Sequence, residues 1–129
     1  VDSIDFHYTA SPIVTSVQAI AQYQIGPTAQ ADFPAIAYHI IIDSTGKFYY
    51  TQDLDRRVWH NGAPGRNERA IGICYTGDVR PTPKQIDGLK EARLWCERQL
   101  KKPLVKMAHN TTYATSCPGP YFNEWKNSV

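Results

Sequence analysis

Residues 37–50 read AYHIIIDSTGKFYY. The first half is rich in β-branched side chains, which suit a pleated strand. Ser44, Thr45 and Gly46 then supply a turn, and KFYYTQ returns as a second strand. The stretch predicts a hairpin with Gly46 in its turn.

The segments around the hairpin decide what it joins. SIDFHYTA, residues 3–10, alternates Ile4, Phe6 and Tyr8 against Ser3, Asp5 and His7, the pattern of a short strand. TSVQAIAQYQIG, residues 15–26, predicts a helix. Thr15 or Ser16 can cap it, Val17, Ile20, Ala21 and Gln24 fall near helical spacing, and Gly26 can end it. RAIGICYTGD, residues 69–78, is another apolar strand between turn residues.

The clearest helix is TPKQIDGLKEARLWCERQLKK, residues 82–102. Thr82 suits the N-cap, Pro83 the first helical position and Gln85 the capping-box position. Ile86, Leu89, Arg93, Cys96 and Leu100 mark one stripe, flanked by Ala92 and Trp95, and Lys101 and Lys102 suit the negative end of the helix dipole. PLVKMAHN then reads as a last short strand. Helices between strands, with one central sheet, predict an α/β (α+β) layer fold. Residues 1–129 show no repeat or linker, so one domain is expected.

Composition narrows the class. Hydrophobic residues are 42% and charged residues 20% of the 129-residue chain, which is globular and not disordered. The net charge of +2 is too mild to argue for nucleic acid but suits loose attraction to a polyanion such as a cell wall. No apolar run is long enough to span a bilayer. The first residues lack the basic head and apolar centre of a signal peptide. Three cysteines, Cys74, Cys96 and Cys117, do not describe a disulfide framework. Cys74 in its apolar strand and Cys96 on the helix stripe read as small buried hydrophobes.

Four histidines are present: His7, His39, His60 and His109. His7 closes the first strand, and His109 closes the last and opens HNTTYATSC, residues 109–117. That stretch has no apolar period, so packing does not explain it. Strand ends bring distant side chains together. Two imidazoles and the Cys117 thiolate could supply three zinc ligands, leaving the fourth tetrahedral position for water, as in catalytic sites. The alternative is a capped strand end plus a buried thiol. His39 follows Tyr38 on a strand, so its side chain is expected on the opposite face as a structural histidine.

FHYTAS, AYHIIIDSTGKFYY, WHNGA, AIGICYTGD and AHNTTYATSCPG occur in this order. Together they resemble the type 2 N-acetylmuramoyl-L-alanine amidases, a family that includes short phage endolysins and peptidoglycan recognition proteins. The resemblance runs from Phe6 to Gly119. It implies a mixed central β-sheet flanked by helices and a zinc cleft at the strand ends, with His7, His109 and Cys117 as ligands of one Zn2+. It implies a catalytic role for Tyr38 beside the ion. It places Thr115, two residues before the third ligand, where family members carry Lys or Thr to hold the reacting carbonyl. It suggests the WHN segment of WHNGAPG, with His60 and Asn61, as substrate contacts on the cleft rim, although His60 reads equally as a turn residue. Arg66, Asn67 and Arg69 in the same loop could meet peptide carboxylates, with Arg66 taken as the third contact, and a solvated loop is the alternative.

The implied activity is zinc-dependent hydrolysis of the amide between N-acetylmuramic acid and L-alanine in peptidoglycan. The partner is then the muramyl peptide, with no nucleic acid and no membrane span, and a monomer is expected. Such a protein acts on the bacterial wall, as a phage-encoded endolysin or a secreted or periplasmic bacterial enzyme. A non-catalytic peptidoglycan-binding module is the alternative, and retention of Cys117 argues against it, because members that only bind commonly lack that cysteine.

Overall fold

The computed structural model describes residues 1–25, 31 and 33–129. Five strands form one sheet: β1 (Ser3–Tyr8), β2 (Ile40–Ile42), β3 (Phe48–Tyr50), β4 (Ala70–Tyr75) and β5 (Val105–Ala108). Their order is β3-β2-β4-β1-β5. Only the β2–β3 hairpin is antiparallel; the β2–β4, β4–β1 and β1–β5 pairs are parallel. The sheet is therefore mixed, as the family resemblance implies.

Parallel strands need long crossovers, and helices supply them. Helix α1 (Val17–Ile25) follows β1, and α2 (Pro83–Leu100) lies between β4 and β5. The Ser16 hydroxyl accepts the Ala19 N–H at 3.1 Å and so caps α1. The expected end of α1 at Gly26 lies outside the described residues. Helix α2 begins as predicted. Thr82 Oγ1 accepts the Gln85 N–H at 3.2 Å, and Gln85 Oε1 accepts the Thr82 N–H at 3.1 Å. Lys101 ends it in a left-handed conformation.

The buried row of α2 keeps Leu89, Ala92 and Cys96 of the predicted stripe, with Ile86, Trp95 and Leu100 packed against the core, and adds Gln85 and Gly88. Arg93 is mostly covered and pairs with Glu97 at 2.6 Å. Gln85 is buried because its amide donates to the Thr76 carbonyl at 2.7 Å. The hairpin turn then lies against α2. Gly46 has φ +83°, and a β-carbon there would meet the Lys84 carbonyl, so the turn needs glycine for both reasons.

Strand alternation divides the chemistry. Ile4 and Phe6 of β1 join Ile40, Ile42, Ile71, Ile73, Tyr75, Leu89 and Cys96 in the main core under α2. The short helices α3 (His109–Thr112) and α4 (Phe122–Trp125) follow β5. Phe122 and Trp125 close that core against Phe6, with the Trp125 ring edge-on at 5.7 Å. The other face of β1 carries Ser3, Asp5 and His7, all buried. Beside them on the neighbouring strands are Gly72, opposite Asp5, and Cys74, opposite His7. Ile41, Cys74 and Ile20 of α1 form a small apolar cluster there, with Tyr38 packed against it. A buried sheet face this polar needs internal partners for each polar group.

Candidate metal centre

His7 is the fifth residue of β1, and His109 follows β5 directly. These strands are adjacent and parallel, so their carboxyl ends meet at one edge. Cys117 returns to the same edge after α3. Its sulfur receives the Tyr8 backbone N–H at 3.4 Å and lies 3.6 Å from His7 Nδ1. The ligand atoms of His7, His109 and Cys117 all lie within 4.8 Å of one another.

Two observations show that this trio fits a metal ion. Both ring nitrogens of His109 are buried and have no hydrogen-bond partner among the described residues. Buried polar nitrogens are rarely left so. The donor set is also right for zinc: two imidazoles and one sulfur. Burial pulls the His7 imidazole well below its usual pKa, helped by the nearby His60 and His109 rings, and lowers His109 also. Both rings are thus neutral at pH 7, the form that binds metals. Burial pushes the Cys117 thiol up to about 12, so metal binding must displace its proton.

Asp5, His7 and His60 form a second cluster of the same span, but its atoms are already satisfied. Asp5 accepts from Arg66 Nε at 3.0 Å and from Asn61 Nδ2 at 2.9 Å. His7 Nε2 lies 3.0 Å from His60 Nδ1, and His60 Nε2 lies 3.1 Å from the Ala70 carbonyl. The guanidinium balances the carboxylate, so no cation is needed there.

Tyr38 is half-buried, with its ring centroid 5.3 Å from that of His7. Burial holds its phenol well above the ordinary range, with the nearby Cys74 and Cys117 adding to the shift. It remains a proton donor at neutral pH. Thr115 is on the loop leading to Cys117, and its hydroxyl accepts the Cys117 N–H at 3.3 Å. Its own hydrogen is left for another acceptor. Tyr38 also lines a cavity of about 450 Å³, with Thr9, Ser11, Tyr23 and Gln24 on its walls.

His60, Asn61 and Arg66, the expected substrate contacts, lie inward and not on an exposed loop. His60 and Asn61 are buried, and the Arg66 side chain is only 13% exposed. The reason is Asp5: a carboxylate with no solvent exposure requires donors close by, and the loop after Trp59 provides them. Asn61 also donates to Thr112 at 2.7 Å, which ties this loop to α3. His39 differs as well. It sits in a bend just before β2, where alternation does not apply. Its Nδ1 accepts the Gly72 N–H at 3.0 Å and its Nε2 lies 2.9 Å from the Arg56 carbonyl, so it is the satisfied structural histidine expected, but turned toward β4.

Sequence reading missed two contributors. Tyr113 stacks on His109 with ring centroids 5.7 Å apart and an interplanar angle of 12°. The spacing of His109 and Tyr113, four residues across a single helical turn, was the available signal. Gly72 makes room for the His60 ring, and nothing local in AIGICY announces that.

A profile of the N-acetylmuramoyl-L-alanine amidase family matches residues 1–120. No match was found among curated proteins. Among solved structures, the endolysin N-acetylmuramoyl-L-alanine amidase LysCS from Clostridium intestinale URNW is 26% identical. The match covers 98% of this chain and 81% of that one, with a TM-score of 0.79. The Ph2119 endolysin of the Thermus scotoductus MAT2119 bacteriophage is 21% identical, covering 98% and 82%, with a TM-score of 0.80. Bumblebee PGRP-SA is 17% identical, covering 97% and 81%, with a TM-score of 0.78, and shares the fold. With nearly its whole length matched and a His–His–Cys trio at the strand ends, the chain belongs to the N-acetylmuramoyl-L-alanine amidase family of peptidoglycan hydrolases.

Proposed function

We propose that the protein is a zinc-dependent amidase that cleaves the bond between N-acetylmuramic acid and L-alanine. His7 Nδ1, Cys117 Sγ and one ring nitrogen of His109 would hold the ion. The observation that carries this reading is the pair of His109 ring nitrogens, buried without a partner among the described residues, in a cluster with His7 and the Cys117 sulfur. When bound there, zinc supplies Lewis-acid polarisation of a carbonyl and lowers the pKa of a coordinated water.

The chain's own groups would do the rest. Tyr38 would donate its O–H to the oxygen that gains charge as the amide is attacked, a role that suits a phenol kept protonated by burial. Thr115 would donate to the same carbonyl while its oxygen stays anchored on the Cys117 N–H. The cavity beside Tyr38 would take the muramyl peptide, and its mixed polar and apolar wall suits a sugar–peptide junction. His60, Asn61 and Arg66 would build the site from beneath and not touch substrate. Among the described residues no helix is long and apolar enough to cross a membrane. We propose a monomer that meets its substrate at the bacterial wall.

Digestion of purified peptidoglycan tests the bond. Expected are new free α-amino groups with alanine as the newly exposed N-terminal residue, and no rise in reducing sugar ends. Reducing ends without new amines would indicate a glycosidase, which normally needs two flanking carboxylates. Binding without either product would leave a recognition module. Activity that survives exhaustive chelation would sink the zinc mechanism.

A further inference from the structure

His7 is held by another histidine, and that arrangement has a chemical consequence for the metal centre. The Ala70 carbonyl is an acceptor only, so His60 Nε2, 3.1 Å away, must carry a hydrogen. In a neutral ring, His60 Nδ1 is then bare. It lies 3.0 Å from His7 Nε2, which must donate to it. His7 Nδ1 is left with its lone pair, and it faces Cys117 Sγ at 3.6 Å.

The alternative direction fails on geometry. For His60 to carry its hydrogen on Nδ1 it would have to present a bare Nε2 to a carbonyl oxygen. Asp5 offers no relief, since its nearest oxygen is 3.9 Å from His60 Nδ1 and accepts from Arg66 and Asn61. The ring is also tightly seated. Gly72 lies under it, and a β-carbon there would approach His60 Cγ to 2.7 Å.

We propose, building on the zinc reading above, that His60 is a positioning residue: through Ala70 it selects the His7 tautomer that presents Nδ1 to the ion. Metal-ligating histidines generally donate their second N–H to an oxygen acceptor, which fixes the tautomer and raises ligand basicity. Here the acceptor is a second imidazole whose own tautomer is set by the backbone of β4. His109 has no such partner among the described residues, and its ring stacks on Tyr113 instead. The two histidine ligands are thus held by different means.

The test begins with zinc-free wild-type protein, ¹⁵N-labelled, at about pH 8, above the ordinary histidine range. Long-range imidazole correlations are expected to show His7 and His60 each protonated at Nε2 and bare at Nδ1. A His7 ring protonated at Nδ1 overturns the proposal without any variant. Two variants extend it, with zinc affinity read by competition against a chromophoric chelator. His60→Leu removes both polar partners and is expected to lose about 10- to 100-fold in zinc affinity, the usual range for such supporting groups, with His7 reverting to a tautomer mixture. His60→Gln offers an acceptor to His7 and a donor to Ala70, and is expected to recover most of that loss. Equal losses in the two variants, or wild-type affinity in His60→Leu, overturn the proposal. Should His60→Leu not fold, the wild-type spectrum and the glutamine variant decide the matter. Wild-type protein that binds no zinc would refute the amidase mechanism, while the tautomer of His7 would still test its link to His60.

Discussion

Arg66 and Asp5 form an ion pair inside the protein. The carboxylate is fully buried and the guanidinium side chain is 13% exposed, with Nε at 3.0 Å from Oδ2. The same guanidinium reaches Ser3 Oγ at 2.7 Å. Residues 61 positions apart are therefore joined directly beneath the metal centre.

Removing one partner should be severe. Arg66→Met leaves Asp5 buried without its counter-charge, and a loss of about 3–5 kcal/mol in folding stability is expected. Arg69 pairs with Asp2 at 2.6 Å, but both side chains are largely exposed, and Arg69→Ala should lose less than about 1 kcal/mol. Urea unfolding of the two variants checks the contrast. An Arg66 variant with unchanged stability and impaired substrate binding would restore the substrate-contact role.

Gly72→Ala probes the seat of His60. In open space an alanine would be tolerated in a strand, but here its β-carbon would lie within 3.0 Å of three His60 atoms. A loss of about 1–3 kcal/mol is expected, as for overpacking elsewhere. Full stability in a denaturant titration would mean that the ring has room to move.

Cys117→Ser should lose most bound zinc and, with it, amidase activity, since a hydroxyl is a far poorer ligand than a thiolate. Metal analysis of the purified variant is the direct measurement. Full zinc retention would remove Cys117 from the ligand set.

Tyr38→Phe deletes one hydroxyl and keeps the ring that packs against Ile41 and Cys74. Zinc content and fold should persist while turnover falls by ~10²-fold or more, as for loss of one donor to a developing oxyanion. Wild-type turnover would end the assignment. Thr115→Val should lose less, because Thr115 brings a neutral hydroxyl already engaged with Cys117.

Acid should destabilise the zinc-free protein before its carboxylates titrate. Burial lowers His39 below the ordinary 6.5 and takes His60 down to about 4. As pH falls below about 6.5 the unfolded chain gains these protons and the folded chain does not. Stability is therefore complete above that pH and declines toward pH 4, at about 1.4 kcal/mol per pH unit for each histidine in its window. Denaturant midpoints measured across that range should fall steadily. A flat or rising profile would show that the rings are charged in the folded state.

The parts of the protein legible in its sequence are those governed by local rules. Alternation in SIDFHY put Ile4 and Phe6 on one face and Asp5 and His7 on the other, and that is how β1 packs. The Thr82–Gln85 capping box needs only a few residues of chain, and it forms as written. Motif order pointed to His7, His109 and Cys117, and the parallel β1–β5 pairing brings them together. Relations that depend on register and packing between distant segments were not legible. The inward place of Gln85 on α2 depends on its amide finding the Thr76 carbonyl. His60, Asn61 and Arg66 went inward because a buried Asp5 attracts donors from whatever loop passes over it, and no periodicity records which loop that is. The tautomer of His7 lies furthest from sequence. A proton's place on a ring is set by acceptors within 3 Å or so, and only the folded chain puts the Ala70 carbonyl behind His60 and His60 behind His7.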